Sequence, residues 1–384
     1  MLTLYRSNRA EFLAQLLAQQ LLEQRPGPLD TVEVMVNTWP TSRWLGEQLA
    51  QTMGISSLVR FPFPGSRLRQ LVRQVLDLPA QQDDPWRAGR LVWAVLDRLP
   101  VVLDQPSAEP LRQWLERRDS PNASSGLSRD RWQLARSIAD AFDDYALYRP
   151  DLLDQWQQDR GLNDWQPLLW RDLALQLPAE PFGLQVRAAV QLLLQGQANP
   201  ASLPERLRLF GISALAPVQV ELIQALSGLL EVEVYLLTPC PDLWQRCGSR
   251  REQLGEGWLE PPDGVWLEAA PRTEAILGRM GAEFQQLLEG VGDVQLGERR
   301  DGDLFAAPVE MAAAGAASAS LLEQLQQQLV DCDRAAPLRR CRTDQSLLFQ
   351  AAPGPWREVQ LVRDRILQWL AADPELEPRD VLVM

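Results

Sequence analysis

The sequence of 384 residues contains no histidine and no lysine, so all 38 of its basic residues are arginine. These absences exclude, within this chain, general-base histidines, histidine-ligated metals, Schiff-base lysines and the phosphate-binding lysine of a P-loop. GC-rich codon usage explains the missing lysines more simply than selection does, and the chemical exclusion holds either way. We therefore expect no catalytic residue, no metal and no cofactor in this chain.

Cysteine and long apolar runs are also scarce. No spacing of the CxxC type joins the four cysteines, which are Cys240, Cys247, Cys332 and Cys341. Without histidine to complete a zinc site, we interpret them as free cytosolic thiols. No apolar run approaches the roughly 18 residues that a membrane span needs, and no signal peptide opens the chain. We expect a soluble, cytoplasmic protein with no membrane association.

The net charge of −13 bears on possible partners. Such an acidic chain does not coat duplex DNA with its whole surface, although a local channel lined by arginine remains compatible with it. The length is sufficient for two or three domains.

The stretch 207–237 organises the chain. Residues 207–212 and 232–237 are apolar runs typical of buried strands, and apolar residues at helical spacing lie between them. This alternation predicts an α/β domain around a parallel sheet that is buried on both faces. Phe210 and Gly211 stand where nucleotide hydrolases of this topology carry a magnesium-binding carboxylate.

Three further strand-to-helix units are predicted in the first 80 residues, with strands at 1–5, 32–36 and 58–61. Asn8 is expected to cap the first helix, with Glu11 as its capping partner. The connection between the first strand and this helix has no glycine and no lysine, so it cannot cradle a triphosphate. Polar and aromatic side chains follow each strand at its carboxyl end, where ligands bind in open α/β sheets.

The remaining chain has two different patterns. Residues 85–194 are predicted to be helical throughout, with tryptophans spaced as core anchors. After a helix at about 273–288, a weakly structured segment is expected at 290–317. Further elements are then predicted, namely a helix at 321–330 and a strand–helix–strand unit at 346–351, 358–370 and 380–384. Because the last strand is incomplete, we expect a fragment of a longer protein.

One predicted helix carries Asp140, Asp143 and Asp144 away from its apolar face. Carboxylates at this spacing could hold a metal or form an acid/base pair. The simpler interpretation is a solvated face on which Arg136 pairs with Asp140 at i, i+4.

Several dispersed motifs resemble one family when they are taken in order. They are LYRSNRAEFL, FPFPGS, FDDYALYRPDLL, FGISALAPVQ, TPCPDLW, PWREVQLVRDRI and PRDVLVM. Together they resemble the RecC family, the gamma subunits of exodeoxyribonuclease V or RecBCD complex, over nearly the whole chain.

The resemblance implies a superfamily 1 helicase fold that has lost its ATPase. The implied fold class is α/β, a degenerate P-loop-NTPase-like parallel sheet with a large all-helical insertion and the start of a second α/β domain. The predicted domains are 1–84 with 205–344 as a 1A-like domain, 85–204 as a 1B-like insertion, and 345–384 as a truncated 2A-like domain.

The resemblance also implies a function in repair of double-strand breaks by homologous recombination. Family members are non-catalytic subunits of a heterotrimer with RecB-like and RecD-like partners. They help to split a forked duplex and guide the 3′-ended single strand through a tunnel that scans for a regulatory octamer, Chi.

Nine positions match the family's scanning residues. They are Asn37, Trp39, Arg43, Phe63, Arg69, Asp140, Asp143, Arg149 and Arg187. Arginine and asparagine can read base edges, and the aromatic residues offer stacking faces, so all but the two carboxylates are expected to bind DNA. Asp140 and Asp143 repel phosphate and are expected to form ion pairs with Arg149 or Arg187 that latch the tunnel wall.

Three alternatives remain open from the sequence. Each aromatic or basic candidate could instead be a packed turn residue or a solvated helix residue. The sheet edge also differs in residue type from the best-known family member, so recognition of the same octamer is not implied. The whole chain could be a pure protein-interaction scaffold without nucleic-acid contact, or an enzyme with a carboxylate pair at Asp140 and Asp143.

Overall fold

The computed structural model of the chain describes residues 1–24, 27, 29–79, 84–117, 128–158, 164–241, 278–288, 299–313, 319–331 and 337–383. The chain is divided into two compact units. The first contains Met1–Ala306 and Leu329–Arg334, and the second contains Ala307–Gln328 and Ala335–Met384. Of the four cysteines, Cys240 is buried, Cys341 is exposed, and the other two lie outside the described residues.

The first unit is built on a six-stranded parallel sheet. Its strands are β1 (Leu2–Ser7), β2 (Val32–Met35), β3 (Val59–Arg60), β4 (Arg206–Phe210), β5 (Glu231–Leu237) and β6 (Arg299–Asp303). Their order across the sheet is β3-β2-β4-β5-β1-β6, and every neighbouring pair is parallel. The predicted α/β class and its five strands are confirmed, with ends that differ by one or two residues.

The sixth strand was not predicted. Residues 299–303, RRDGD, lie inside the segment 290–317, which was expected to be weakly structured. They contain no apolar residue, so the sequence has no strand pattern there. The strand forms at the edge of the sheet, where β1 supplies parallel hydrogen-bond partners from Leu2 to Arg6. A strand at an edge can be polar, since its outer side faces no neighbour.

Eleven of the described helices belong to the first unit. They are α1 (Ala10–Glu23), α2 (Trp39–Met53), α3 (Pro64–Val75), α4 (Ala88–Leu103), α5 (Glu109–Glu116), α6 (Arg129–Tyr148), α7 (Pro150–Gln157), α8 (Trp165–Gln176), α9 (Phe182–Leu194), α10 (Pro217–Leu226) and α11 (Arg279–Leu288). Short 3-10 turns occur at Pro106–Ala108 and Pro200–Ser202. Helices α1 and α2 cover one face of the sheet, and α3, α9, α10 and α11 cover the other.

The two faces of the sheet differ in chemistry. Leucine and valine side chains of β1, β4 and β5 fill the core on the face of α9 and α10. The face of α1 instead carries a buried ion pair in which Arg208 Nε donates to Glu233 Oε2 at 2.8 Å. Burial, followed by the charge of Glu233, raises the pKa of Tyr235, whose hydroxyl lies 3.2 Å from that carboxylate. The predicted double-sided burial is therefore confirmed, and the face of α1 and α2 includes a buried polar network within its apolar core.

The helices from α4 to α9 enclose an aromatic core, as the spacing of tryptophans predicts. Phe142 packs edge to face against Trp170 and Trp156, with centroid distances of 5.5 and 6.2 Å. Trp86 contacts Trp170 at 4.5 Å. By contrast, Trp93 is 61% exposed and Trp132 is 39% exposed, so the spacing of tryptophans predicts only part of this core.

The second unit is helical in its described residues. It contains α12 (Pro308–Ala313), most of α13 (Leu321–Asp331), α14 (Pro355–Ala372) and a 3-10 turn at Pro378–Asp380. The helices predicted at 321–330 and 358–370 are confirmed. The strands predicted at 346–351 and 380–384 are wrong for the residues described, up to 383, because no neighbouring strand pairs with these segments.

No helix in the described part of the chain combines the length and the apolar composition that a membrane span requires.

Candidate nucleic-acid interface

The polar side chains of the turn after β1, which the sequence suggested as the position of a lost phosphate loop, form hydrogen bonds inside the protein. Ser7 Oγ donates to the carbonyl oxygen of Leu304 at 2.8 Å and accepts from the Arg9 backbone N–H at 3.0 Å. Asn8 Oδ1 accepts from the Ala306 N–H at 2.8 Å, and Asn8 Nδ2 donates to the Ala306 carbonyl at 3.1 Å. The prediction that Asn8 caps α1 is wrong, because its side-chain amide binds the backbone of Ala306 instead.

The end of β4 is part of the core. Phe210 is 2% exposed and packs between Tyr235, at a ring distance of 6.0 Å, and Trp44, at 6.1 Å. Gly211 follows with φ +62°, a backbone region that favours glycine, and its N–H donates to the Tyr235 carbonyl at 3.0 Å. An aromatic side chain in this position offers no oxygen to a metal ion.

The ends of β2 and β3 bring two aromatic candidates together. Trp39, the first residue of α2, lies 5.6 Å from Phe63 in an edge-to-face arrangement with an interplanar angle of 87°. A hydrogen bond of 3.2 Å from Val36 N to Pro62 O holds the two strand ends together. Trp39 is nevertheless 74% exposed, so its ring faces solvent rather than the core.

Polar candidates flank this aromatic pair. Asn37 is exposed at the end of β2. Arg43 lies one helical turn after Trp39, on the same side of α2, and its side chain is 86% exposed. Its Nε is 3.6 Å from Glu47, a surface pair that stabilises the helix little. Asn37, Trp39, Arg43 and Phe63 therefore share one end of the sheet.

Arg69 has internal partners instead. Its guanidinium pairs with Asp84 and lies 4.4 Å above the ring of Phe182, and its side chain is only 20% exposed. Burial lowers the pKa of Arg69, while the charge of Asp84 opposes this change. These contacts connect α3 to residues before α4 and in α9, so Arg69 holds the helical region against the sheet domain.

The four residues expected to form a latch are paired with other residues. Arg136 Nε donates to Asp140 at 3.0 Å, as the solvated-face interpretation predicts. Asp143 Oδ2 accepts from the Ala88 N–H at 3.3 Å, and burial raises the pKa of this carboxyl. The other described pairs are Arg149 with Asp151, 3.8 Å apart, and Arg187 with Asp154.

The latch prediction is therefore wrong in its partners. Sequence reasoning missed Asp151 and Asp154 as pairing residues, whereas the i, i+4 spacing predicted the pair of Arg136 and Asp140. Arg187 and Asp154 line a cleft of about 440 Å³ together with Glu180 and Glu221. Because carboxylates outnumber arginines there, the cleft does not suit a phosphate backbone. In the described residues, no three carboxylate or thiol groups converge in the way that metal ligands do.

Comparison with known proteins identifies relatives over the whole chain. The family model for the N-terminal domain of RecC matches residues 2–332. The RecBCD enzyme subunit RecC of Mycolicibacterium smegmatis is 32% identical over 387 aligned positions, covering all of this chain and 33% of that protein. The RecC subunits of Escherichia coli K12 and Haemophilus influenzae are 27% and 26% identical, covering 37% and 38% of those proteins. The chain thus spans about a third of the length of the curated relatives it matches.

Proposed function

This chain belongs to the RecC family, and on that premise we propose that it is part of a non-catalytic subunit of a RecBCD-type helicase–nuclease. In this role it assembles with RecB-like and RecD-like partners in the cytoplasm, engages forked DNA and guides the 3′-ended single strand during recombinational repair. Scanning for a Chi-like sequence belongs to the same proposal.

The observation that carries the strand-guiding role is the exposed ring of Trp39 with the half-buried ring of Phe63 at its edge. Large aromatic side chains are rarely left in solvent at the carboxyl edge of a parallel sheet, which is where such sheets bind ligands. The ring of Trp39, supported at its edge by Phe63, offers a face on which one unpaired base can stack, and base–aromatic stacking contributes about 1–3 kcal/mol per base. Arg43, exposed one turn away, is placed to contact the phosphate that follows.

The lack of motor activity is supported by the two positions that handle nucleotide in related folds. Ser7 and Asn8 use their polar groups to bind residues 304–306, so the start of α1 has no free loop around a phosphate. Phe210 replaces a metal-binding carboxylate. We propose that the fold is a degenerate helicase-like domain 1A, that residues 85–204 are its 1B-like insertion, and that residues 345–384 begin a 2A-like domain.

The strand-guiding role can be tested by fluorescence anisotropy with a single-stranded oligonucleotide. The double change Trp39→Ala and Phe63→Ala should weaken binding about 5- to 150-fold, the equivalent of losing about 1–3 kcal/mol of stacking. The matched control is Trp93→Ala, which removes another exposed tryptophan, on helix α4. Equal affinities of the double variant and the control would contradict the proposal.

The loss of nucleotide handling has a separate test. Titration calorimetry with ATP and Mg²⁺ should detect no binding tighter than millimolar, because the residues after β1 leave no phosphate cradle. ATP binding at micromolar concentration that is lost on Asn8→Ala would show that the turn opens and would contradict the proposal.

A pure interaction scaffold is a second candidate, favoured by the overall acidity and by one exposed aromatic residue of the helical region. Trp93 leaves 61% of its surface uncovered, as an anchor for a partner subunit would. The two candidates differ in the salt dependence of DNA binding, which only a strand-binding channel produces.

A further inference from the structure

We propose that residues 337–342 in the second unit form a separate binding site for the phosphodiester backbone of a nucleic acid strand. This arginine segment has the sequence PLRRCR, and all six residues are exposed. It holds three of the chain's arginines within four positions, Arg339, Arg340 and Arg342. The site does not depend on the role of Trp39 and Phe63, which lie in the other unit.

The arginine segment is held in place by backbone contacts on one side. The side-chain amide of Gln324 in α13 binds both backbone groups of Arg339. Its Oε1 accepts from the Arg339 N–H at 2.8 Å, and its Nε2 donates to the Arg339 carbonyl at 2.9 Å. Four residues after the segment ends, Ser346 Oγ accepts from the Leu322 N–H at 3.1 Å. The backbone is therefore fixed along α13 without using any arginine side chain, which reduces the entropy lost when a ligand binds.

The charges of the arginine segment are only weakly compensated within the described residues. The pKa of Asp344 is lowered mainly by its hydrogen bonds with Ser346 and Leu321, and to a smaller extent by the charge of Arg340. Arg339 and Arg342 have no ion-pair or hydrogen-bond partner for their guanidinium groups there, and Arg340 reaches only the Asp344 carbonyl at 3.5 Å. The Asp344 carboxylate lies close in sequence, but it accepts from the N–H groups of Leu321 at 2.6 Å and Ser346 at 2.8 Å.

Many arginines in the first unit have a carboxylate partner instead. Arg6, Arg98 and Arg208 each pair with a carboxylate, and so do the exposed residues Arg112 and Arg136. Three arginines within four positions are thus a local concentration of positive charge in a chain whose net charge is −13.

The spacing of the arginine segment fits a strand of nucleic acid. Four residues span at most about 14 Å when extended, so three guanidinium groups fall within about that length. Successive phosphates of one strand rise about 3.4 Å each along a helix, so three or four of them lie within reach. Each guanidinium can donate two hydrogen bonds to one phosphate. A uniform line of charge uses all three arginines, whereas a folded acidic protein presents carboxylates at irregular spacing.

The test is a salt titration of oligonucleotide binding to the 384-residue chain, with a twenty-nucleotide oligothymidine and a twenty-base-pair duplex as separate probes. Changing the three arginines to glutamine removes three phosphate contacts. The slope of log K against log salt for the single strand should fall by about 2, and affinity at 0.1 M salt by about 100-fold. Changing the same three residues to lysine should preserve the slope, because the charge remains.

The matched control changes Arg9, Arg112 and Arg136 to glutamine. Each of these pairs with a nearby carboxylate, so the control alters net charge equally without removing an unpaired arginine. It should keep the wild-type slope. Circular dichroism of all variants checks that the fold is retained, which the exposure of the segment favours.

Several outcomes would overturn the inference. One is an equal salt slope for the glutamine variant and the control, and another is that the wild-type chain binds neither nucleic acid probe. A third uses poly-glutamate as an additional acidic probe: the glutamine variant would lose affinity for poly-glutamate but not for the nucleic acids. A loss of affinity in the Trp39 and Phe63 variant alone would leave the proposed strand guidance intact and refute the arginine segment. The reverse pattern would support the segment and refute the aromatic site.

Discussion

The buried ion pair between Arg208 and Glu233 gives a sharp prediction about the sheet. Changing Arg208 to methionine removes the guanidinium from a site where both side chains are 8% exposed. Glu233 then keeps only a weaker contact, 3.4 Å from Arg206 Nη1, and the nearby hydroxyl of Tyr235. The carboxylate is left in the core without its main partner.

The expected cost follows from this geometry. Breaking a buried ion pair on one side destabilises a protein by about 3–5 kcal/mol, because an uncompensated charge remains. The contacts that Arg206 and Tyr235 retain place the expected cost near the lower end, about 3 kcal/mol. The double change Arg208→Met and Glu233→Leu removes both charges and should recover most of this loss, since apolar replacement of a whole pair is often neutral.

Native-state hydrogen exchange is the suitable assay, because a chain of two compact units need not unfold in one step. Amides of β4 and β5 should exchange about 150-fold faster in the Arg208→Met variant, the equivalent of about 3 kcal/mol. Arg43→Ala provides the control, since its pair with Glu47 is exposed and should contribute less than about 1 kcal/mol.

Two results would refute this reasoning. Exchange at β4 and β5 that is as slow in Arg208→Met as in Arg43→Ala would show that the pair adds no stability. A double variant less stable than Arg208→Met would show that the remaining hydrogen bonds of Glu233, and not its charge, decide the stability of this face.

Two further changes test the helical region. Gly183→Ala should destabilise the protein by at least about 1–3 kcal/mol in denaturant melts, because the added Cβ would lie 1.7 Å from the carbonyl oxygen of Ala146. Gly89→Ala is the control and should be neutral or stabilising, because its added Cβ meets nothing closer than 3.9 Å. Equal effects of the two changes would contradict the close packing of Gly183 against Ala146. Asp143→Asn should gain stability relative to wild type as the pH rises from about 4, the unfolded value, through the raised pKa of Asp143, because the folded wild type must then ionise a half-buried carboxyl. A relative loss over that pH range would show that the neighbouring arginines control this group.

The sequence allowed the main features of the first unit to be predicted. Short apolar runs at 207–212 and 232–237 determine buried strands because each must be covered on both faces, and the structure has β4 and β5 there. The absence of histidine and lysine determined which catalytic groups the chain lacks. The dispersed motifs determined the family, since their order is a property of the sequence alone.

Only the tertiary structure decided how polar side chains are used. Asn8 looks like a helix cap from local spacing, yet it binds Ala306, nearly 300 residues away. Arg69 and Arg43 cannot be told apart from the sequence. In the structure, Phe182 and Asp84 contact and bury Arg69. The side chain of Arg43 has only Glu47 beside it and stays exposed. Such partners cannot be inferred from one segment, because hydrogen bonds and ion pairs depend on which segments meet in space.

The same reason explains the sheet's sixth strand. A run such as 299–303 has no apolar pattern of its own, and it becomes β6 because the edge of β1 offers hydrogen bonds to it. Apolar periodicity records what a segment must bury, so composition reveals the core. Strand pairing at a sheet edge and ion pairing depend on which other segments lie nearby, and those neighbours are fixed only when the whole chain has folded.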